Sequence, residues 1–241
     1  MKYRKIRRKG QVLATMVFVV WAAAGISGRA QEITEFKGEK LTPLKEQANT
    51  YIGKPPKVDL SKYRLQVTGK VNKPLELSYD EILALPREAR VIDLNCVEGW
   101  GFKALWTGVK VVDLAALAEA DPKAKTVIFH EIGGTYSSAL PLEYLREMNV
   151  LLAFQVNGLA IPPERGFPFQ VTAEGKWGYK WVKWVEKIEF SDKDYQGYWE
   201  KRGYPNSADI KKKQLTCSLQ KRPHESAESR KAKGGSVSLE F

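Results

Sequence analysis

The sequence is poor in the residues that most often hold metal ions: it has two cysteines and two histidines among 241 residues. A zinc site made of Cys and His needs three or four such ligands, and Cys217 and His224 both lie in a polar segment near the C-terminus. The C-x-x-C-H motif of covalent haem attachment is absent, and no pyridine-nucleotide motif is visible. A metal bound by the remaining Cys96 would therefore need an organic cofactor for most of its ligands, and redox chemistry would need electrons from a partner.

The sequence also lacks an apolar run that is clearly long enough for a membrane span, which needs about 20 residues. Residues 12–26 form an uncharged, mostly apolar run of 15 residues, and they follow a basic segment with six Lys/Arg and no acid. Gly28, Arg29 and Ala30 have the small-x-small pattern of a cleavage site. Residues 1–30 are therefore predicted to be a signal peptide, with a retained N-terminal anchor as the alternative. Both interpretations predict a periplasmic domain.

The net charge of +11 does not predict nucleic-acid binding. Residues 1–10 carry six basic residues and no acid, and residues 211–241 carry eight basic and three acidic residues, so residues 11–210 are neutral overall. A nucleic-acid-binding domain usually carries its positive field on the fold itself. The composition of residues 211–241 predicts a basic, disordered tail.

Between these ends, the apolar pattern predicts many short strands and few helices. Strands are predicted at residues 63–71, 75–77, 89–96, 126–130, 136–140, 151–156, 167–172 and 184–190. Helices are predicted at residues 111–120 and 142–147, and a third, ending near Leu85, is predicted by the capping box of Ser78 and Glu81. This pattern indicates an α+β fold with a mixed sheet. We expect one domain over residues 63–210, preceded by an extended segment over residues 31–62.

Cys96 is the residue that most needs an explanation. A disulfide with Cys217 would have to order a polar tail, which costs chain entropy, and a lone thiol is unusual in an exported protein. Cys96 ends a predicted strand and is followed by a glycine-rich turn, and its thiolate is a soft metal donor. The alternatives are a small buried apolar residue and a Cys–His nucleophile pair with His130.

Two further segments have the composition of a binding site. Residues 157–168 combine Pro162 and Pro163 with two glycines, which suits a rigid binding loop. Residues 175–184 hold three Lys and three Trp, which could bind a phosphate and flank a flat heterocycle. Ordinary alternatives are a well-formed connection and an edge strand over a Trp-rich core. A platform for single-stranded nucleic acid also has interleaved basic and aromatic residues, but it does not fit export.

Together, in their order and spacing, these segments resemble the oxidoreductase molybdopterin-binding domain of the sulfite-oxidase family. The resemblance runs from Tyr63 to Ile210 and is closest to the periplasmic methionine-sulfoxide reductases of that family. It is carried by residues 63–69, 96–100, 157–163, 178–184 and 203–209. The resemblance implies a mixed-sheet α+β fold and a cofactor made of molybdenum and molybdopterin.

The resemblance also implies which residues form the site. Cys96 occupies the position of the one protein ligand to molybdenum, and its loss is expected to abolish turnover. Cofactor contacts are implied for Asn49, Arg165, Gln170, Trp181, Val182 and Lys183. Many relatives carry Arg at the position of Gln170, and Arg165 could supply that charge instead.

The implied reaction is oxygen-atom transfer, in which the metal cycles by two electrons and the protein tunes and positions the cofactor. Glu98 and Trp100 beside Cys96 suit a neutral substrate better than an anion. This favours reduction of a small neutral S-oxide or N-oxide, with electrons from a membrane-bound haem or quinone-linked partner. Sulfite-type oxidation, a non-catalytic periplasmic module that keeps the fold and a cysteine-dependent hydrolase are the alternatives.

Overall fold

The computed structural model describes residues 31–210, which form two five-stranded sheets, a separate two-stranded hairpin and three short α-helices. The strands are β1 Glu35–Phe36, β2 Glu39–Lys40, β3 Leu65–Gly69, β4 Leu75–Leu77, β5 Arg87–Asn95, β6 Gly101–Lys110, β7 Thr126–Glu131, β8 Ser137–Pro141, β9 Leu151–Val156, β10 Leu159–Ala160, β11 Gln170–Val171 and β12 Val185–Ser191. The α-helices are α1 Tyr79–Leu83, α2 Val111–Leu117 and α3 Leu142–Met148. Short 3-10 helices occupy Leu44–Glu46, Pro163–Arg165, Gly178–Lys180 and Glu200–Arg202.

The first sheet has the order β10-β9-β6-β5, and β11 also pairs with β9. All of its pairs are antiparallel. Strands β5 and β6 form a long hairpin that is in register from the pair Arg87–Val109 to the pair Asn95–Gly101. This hairpin carries residues 96–100 at its tip, where two paired strands hold the turn in place.

The second sheet has the order β4-β3-β12-β7-β8. Strand β12 lies at its centre, parallel to β3 and antiparallel to β7. The sheet is therefore mixed, as the α+β class predicted. In β12 the buried residues are Val185, Ile188 and Phe190, so that one face of the strand packs into the core.

A single hydrophobic cluster joins the two sheets. Trp106, Val109 and Leu152 enter it from the first sheet, and Phe129 and Ile188 enter it from the second. Burial of side chains of this size stabilises a fold by about 1.5–3 kcal/mol each. None of the helices among residues 31–210 combines the length and apolar character needed to cross a membrane.

Most of the predicted elements are confirmed, with ends that shift by a few residues. Helix α1 begins at the predicted capping box: the Ser78 hydroxyl accepts from the Glu81 N–H at 3.3 Å, and the Ser78 N–H donates to the Glu81 carboxylate at 2.8 Å. The strand predicted at residues 167–172 is wrong for most of its length. Only Gln170–Val171 pairs with β9, and Pro168 has no N–H to donate to a ladder.

Strand β6 was not predicted, although it is the longest strand in the described part of the chain. Its apolar residues do not alternate, because Phe102, Leu105, Trp106 and Val109 are buried on both of its faces. Gly108 interrupts the pattern further. A Cβ atom at this position would lie 2.3 Å from the Leu152 carbonyl oxygen, so the close approach of β9 requires glycine.

Residues 31–62 contain the β1–β2 hairpin and the Leu44–Glu46 turn, and most of the remaining residues have no regular structure. The segment is attached to the first sheet: Ile33 N–H donates to the Asn157 carbonyl at 2.9 Å, and Thr42 N–H donates to the Lys103 carbonyl at 2.8 Å. The signal peptide or anchor and the basic tail are predictions that lie outside the described residues. The domain boundaries also stay a prediction.

Candidate active site

An open cavity of about 1090 Å³, its mouth included, lies between the tip of the β5–β6 hairpin, residues 44–52 and residues 178–184. We call residues 44–52 the strap. Six of the seven predicted site residues contribute to the lining of this cavity: Asn49, Cys96, Arg165, Gln170, Trp181 and Lys183. The structure therefore brings together residues that are up to 134 positions apart in the chain.

Val182 is the predicted site residue that the structure does not bring to the cavity. Its side chain is completely buried in the core. Its N–H donates to the Lys180 carbonyl at 3.1 Å, and its carbonyl accepts from the Val171 N–H at 2.9 Å. Both backbone groups and the side chain are thus occupied within the fold, whereas the neighbouring Trp181 and Lys183 line the cavity.

Cys96 is the first residue of the turn at the hairpin tip. Its N–H donates to the Trp100 carbonyl at 2.8 Å, and its carbonyl accepts from the Gly99 N–H at 3.0 Å, which fixes the backbone of the turn. The thiol is half-buried, lines the cavity and forms no disulfide within the described residues. Burial raises the pKa of the Cys96 thiol, while the N–H of Glu98 acts in the opposite direction. Such a thiol stays protonated until a metal displaces its proton.

Two cations, Arg165 and Lys183, face the cavity and hold the strap. Arg165 follows the Pro-rich turn and donates to the carbonyls of Gln47 and, at 3.2 Å, of Leu44. Lys183 donates to the Asn49 side-chain oxygen and to the Thr50 carbonyl, the latter at 2.8 Å. All of these acceptors are neutral oxygens, so both positive charges remain available to an anion.

The electrostatics of Lys183 reflect this surplus of positive charge. Burial lowers the pKa of Lys183 to about 8, and the nearby Arg165 contributes to the lowering, whereas Cys96, Glu131 and Glu98 raise it. Burial also lowers the pKa of Arg165. A bound phosphate would offset this cost, because it supplies the counter-charge for both groups.

Two buried polar atoms that line the cavity have no hydrogen-bond partner within residues 31–210. They are the indole Nε1 of Trp106, which is 2% exposed, and the carboxylate Oε2 of Glu131, which is 5% exposed. Buried polar atoms are nearly always hydrogen-bonded, so an unpaired donor and an unpaired oxygen in one cavity indicate a polar ligand.

These residues fit a molybdenum–molybdopterin cofactor. The described residues contain no cluster of three or more His, Cys, Asp or Glu that could hold a metal alone, which matches a single thiolate ligand. The cations suit a phosphate group, the unpaired Trp106 indole suits a heterocycle with hydrogen-bond acceptors, and the cavity is large enough for a ligand of that size.

Aromatic rings line much of the remaining cavity. Tyr51 contacts Trp184 edge to face with ring centroids 5.7 Å apart. In the segment after β12, Trp199 and Tyr204 lie with their centroids 5.1 Å apart, and Tyr204 contacts Tyr179 at 5.2 Å. We call Tyr179, Trp199 and Tyr204 the aromatic wall.

Several cavity residues were missed from the sequence: Trp106, Glu131, Tyr136, Trp199 and Tyr204. The sequence did contain a signal for Glu131. Neighbouring residues of a strand point to opposite faces, so if His130 faces away from the cavity, Glu131 faces it. Its neighbour His130 lies outside the cavity lining and bonds Glu189 at 3.0 Å. The structure therefore does not bring Cys96 and His130 together as a nucleophile pair.

Comparison with known proteins agrees with this geometry. The sequence profile of the oxidoreductase molybdopterin-binding domain matches residues 52–199, which is more than half of the chain. The uncharacterized oxidoreductase YuiH of Bacillus subtilis (strain 168) is 35% identical over 147 residues, which cover 61% of this chain and 74% of that protein.

Two further similarities extend across shorter parts of longer proteins. The protein-methionine-sulfoxide reductase catalytic subunit MsrP of Campylobacter jejuni is 28% identical, and the match covers 57% of this chain and 52% of that protein. The crystal structure of the sulfane dehydrogenase SoxCD from Paracoccus pantotrophus superposes with a TM-score of 0.54 at 25% identity, and covers 58% of this chain and 40% of that chain. This chain belongs to the oxidoreductase molybdopterin-binding domain family, and it is a molybdopterin-dependent oxidoreductase of the sulfite-oxidase type whose cofactor contains molybdenum.

Proposed function

We propose that this protein is a periplasmic enzyme that reduces a small neutral S-oxide or N-oxide, with Cys96 as the protein ligand to molybdenum. The observation that carries the proposal is the free thiol of Cys96 on a rigid turn, in a cavity that also presents two cations and two unpaired polar atoms. When bound, the cofactor supplies oxygen-atom transfer with a two-electron change at the metal.

The residues of the chain bind and orient the cofactor. The paired strands β5 and β6 hold the turn that carries Cys96, so the direction of the thiolate is set by the fold. Arg165 and Lys183 bind the phosphate, and Asn49, Gln170 and Trp181 contact the remainder of the cofactor. Val182 is anchored in the core, and so it fixes the backbone of its two neighbours, Trp181 and Lys183.

The surroundings of Cys96 favour a neutral substrate. The carboxylate of Glu98 stands two residues away and accepts hydrogen bonds from Thr50 at 2.8 Å and from the Trp100 indole at 2.7 Å. A fixed negative charge repels an anion such as sulfite, whereas the aromatic wall can contact the alkyl groups of a neutral S-oxide. The name of MsrP, a protein-methionine-sulfoxide reductase, agrees with this substrate class. Sulfite-type oxidation is the second candidate, because SoxCD is a sulfane dehydrogenase.

A second protein is needed as a source of electrons, since the sequence has no motif for haem attachment or pyridine-nucleotide binding. The name of MsrP describes a catalytic subunit, which indicates that this relative acts with another subunit. We propose a membrane-bound haem or quinone-linked partner for this chain, reached after export directed by residues 1–30.

The first prediction concerns Cys96→Ser in protein from a molybdenum-replete host. We expect the substitution to abolish S-oxide reduction with a reduced dye as electron donor. Loss of a residue that only hydrogen-bonds a metal ligand typically lowers activity by about 10–100-fold. We expect a larger loss here, because the substitution removes the metal ligand itself. Elemental analysis and steady-state rates are the measurements, and Cys217→Ser, which removes the other thiol, is the matched control.

Full activity of Cys96→Ser contradicts the assignment. Wild-type protein that contains no molybdenum would instead support a non-catalytic module. Inactivation by iodoacetamide without bound molybdenum would support a thiol enzyme.

A further inference from the structure

Glu131 is the buried cavity residue for which the cofactor contacts proposed above leave no role. It is the last residue of β7, its N–H donates to the Tyr136 carbonyl at 2.9 Å, and it lies opposite Val185 of β12. These two strand neighbours fix its backbone on both sides. Its side chain is 5% exposed and lines the cavity, and its Oε2 has no hydrogen-bond partner within residues 31–210.

The other carboxylate in the cavity, Glu98, shows by contrast what is unusual about Glu131. Glu98 is exposed, and its Oε2 accepts hydrogen bonds from Thr50 and from the Trp100 indole. These two donors satisfy the oxygen as an acceptor. Glu131 lacks such donors at Oε2, and an ionised oxygen buried without partners is costly.

The surroundings of Glu131 therefore let its carboxyl group keep a proton to a higher pH than an ordinary carboxyl group does. Burial raises the pKa of Glu131 to about 6, although the N–H of Tyr136 and the charge of Lys183 lower it. Lys183 faces Glu131 from the segment before β12, and Tyr136 faces it from the far side of the β7–β8 turn. A protonated Oε2 is a donor that needs an acceptor, and a ligand in the cavity can provide one.

We propose that Glu131 delivers a proton to the oxygen atom that leaves the S-oxide as water. This inference rests on the proposed function. Reduction converts one S-oxide, two protons and two electrons into one sulfide and one water molecule. The S–O bond breaks, the sulfur gains the two electrons that the haem- or quinone-linked donor loses, and the oxygen takes both protons. Glu131 gives one proton and regains it from solvent through the open mouth, and solvent supplies the other.

The second prediction tests this role with Glu131→Gln, which keeps the size of the side chain and an oxygen for the Tyr136 N–H but has no proton to transfer. We expect kcat to fall by about 10²-fold or more, the usual contribution of a general acid, at unchanged molybdenum content. Glu131→Asp should retain an intermediate rate. Glu189→Gln is the matched control, because Glu189 lies on β12 and bonds His130 outside the cavity lining.

The pH dependence supplies a second measurement. Because a general acid must be protonated, the wild-type rate should fall as the pH rises above about 6, the pKa of Glu131. Glu131→Gln should lose this decline, and Glu189→Gln should keep it. Independently of turnover, infrared difference spectra of the molybdenum-loaded protein should show a carboxylic acid band that titrates near this pH in the wild type and disappears in Glu131→Gln.

The outcomes separate the two proposals. A Glu131→Gln enzyme that keeps its rate within threefold overturns the proton-delivery role. Loss of molybdenum from this variant also overturns it, because the carboxylate would then hold the cofactor. If loaded wild-type protein reduces no S-oxide, the proposed function fails in the wild type itself, whereas failure of the Glu131 inference is visible only in the variant.

Discussion

Lys180 and Lys183 lie three residues apart in the same basic, aromatic segment, yet their surroundings differ sharply. Lys180 is 1% exposed, and its Nζ bonds the Glu200 carboxylate at 2.5 Å, the Ala139 carbonyl at 3.0 Å and the Asn206 side chain at 3.2 Å. Lys183 lines the cavity and donates only to neutral oxygens of the strap. Within residues 31–210, Lys180 bonds a carboxylate and Lys183 bonds none.

This difference separates a lysine that is ion-paired inside the fold from one that faces the cavity. Glu200 also accepts a hydrogen bond from the Ser138 hydroxyl at 2.5 Å, and it lies next to Trp199 in the aromatic wall. The Lys180–Glu200 pair therefore supports the aromatic wall on the side away from the cavity and is not part of the cavity lining. Lys183 is left with a lowered pKa and without a bonded carboxylate among residues 31–210, and an anionic ligand would relieve this state.

The largest expected loss of stability comes from removing one partner of the Lys180–Glu200 ion pair. Lys180→Met should lower the free energy of unfolding by about 3–5 kcal/mol, because Glu200 would remain buried without its cation. Urea unfolding followed by tryptophan fluorescence measures this loss. The double variant Lys180→Met/Glu200→Leu is the control, and it should recover much of the stability, since it leaves no unpaired charge. A single variant that loses less than about 1 kcal/mol would show that the pair is not what stabilises the wall.

The contrast between the two lysines also shows the limit of sequence analysis. The composition of the segment that contains both predicts a binding segment, but it does not distinguish Lys180 from Lys183. The distinction depends on Glu200 and Asn206, which bond Lys180 but lie beyond β12 in the sequence. The composition also does not show that the Val182 side chain points into the core while those of Trp181 and Lys183 line the cavity. Alternate residues of an extended segment face opposite sides, and which side faces the cavity depends on tertiary packing.

The fold class could be predicted because strand alternation and helix capping are local. The order of strands could not, since β12 enters the second sheet between β3 and β7, a pairing that no local pattern specifies. Trp106 was missed with the whole of β6, whose two buried faces hide the alternation. The position of Cys96 in the cavity lining could be predicted, because an isolated thiol before a glycine-rich turn is a local signal.

The same substitution at Lys183 should affect cofactor binding more than stability. In the cofactor-free protein, Lys183→Met should change the free energy of unfolding at pH 7 by less than about 1.5 kcal/mol, because relief of the buried charge offsets the lost hydrogen bonds. Its molybdenum content should nevertheless fall about tenfold or more, the equivalent of one charged hydrogen bond. Lys187→Met is the control, because Lys187 pairs with Glu189 at 3.2 Å outside the cavity lining.

The pH dependence of stability gives the same residue a second test. The pKa of Lys183 falls from its ordinary 10.5 to about 8 in the fold, so between these values the unfolded chain binds the proton and the folded chain does not. The stability contributed by this residue therefore rises with pH from about 8 to 10.5 in cofactor-free protein. Lys183→Met should lose this rise. If Lys183→Met keeps the wild-type pH dependence of stability, the pKa of Lys183 is not lowered in the fold.

The smallest effect is expected at an exposed pair, which supplies the baseline for both lysines. Lys70 bonds Asp192 at 3.1 Å, and their side chains are 45% and 39% exposed. Lys70→Met should leave the urea midpoint unchanged, because water replaces the lost partner. The hydrogen bond from Lys70 lowers the pKa of Asp192, so NMR titration of the variant should find this pKa raised towards its ordinary 3.8. A loss of stability as large as that of Lys180→Met would show that burial is not what separates a structural ion pair from an incidental one.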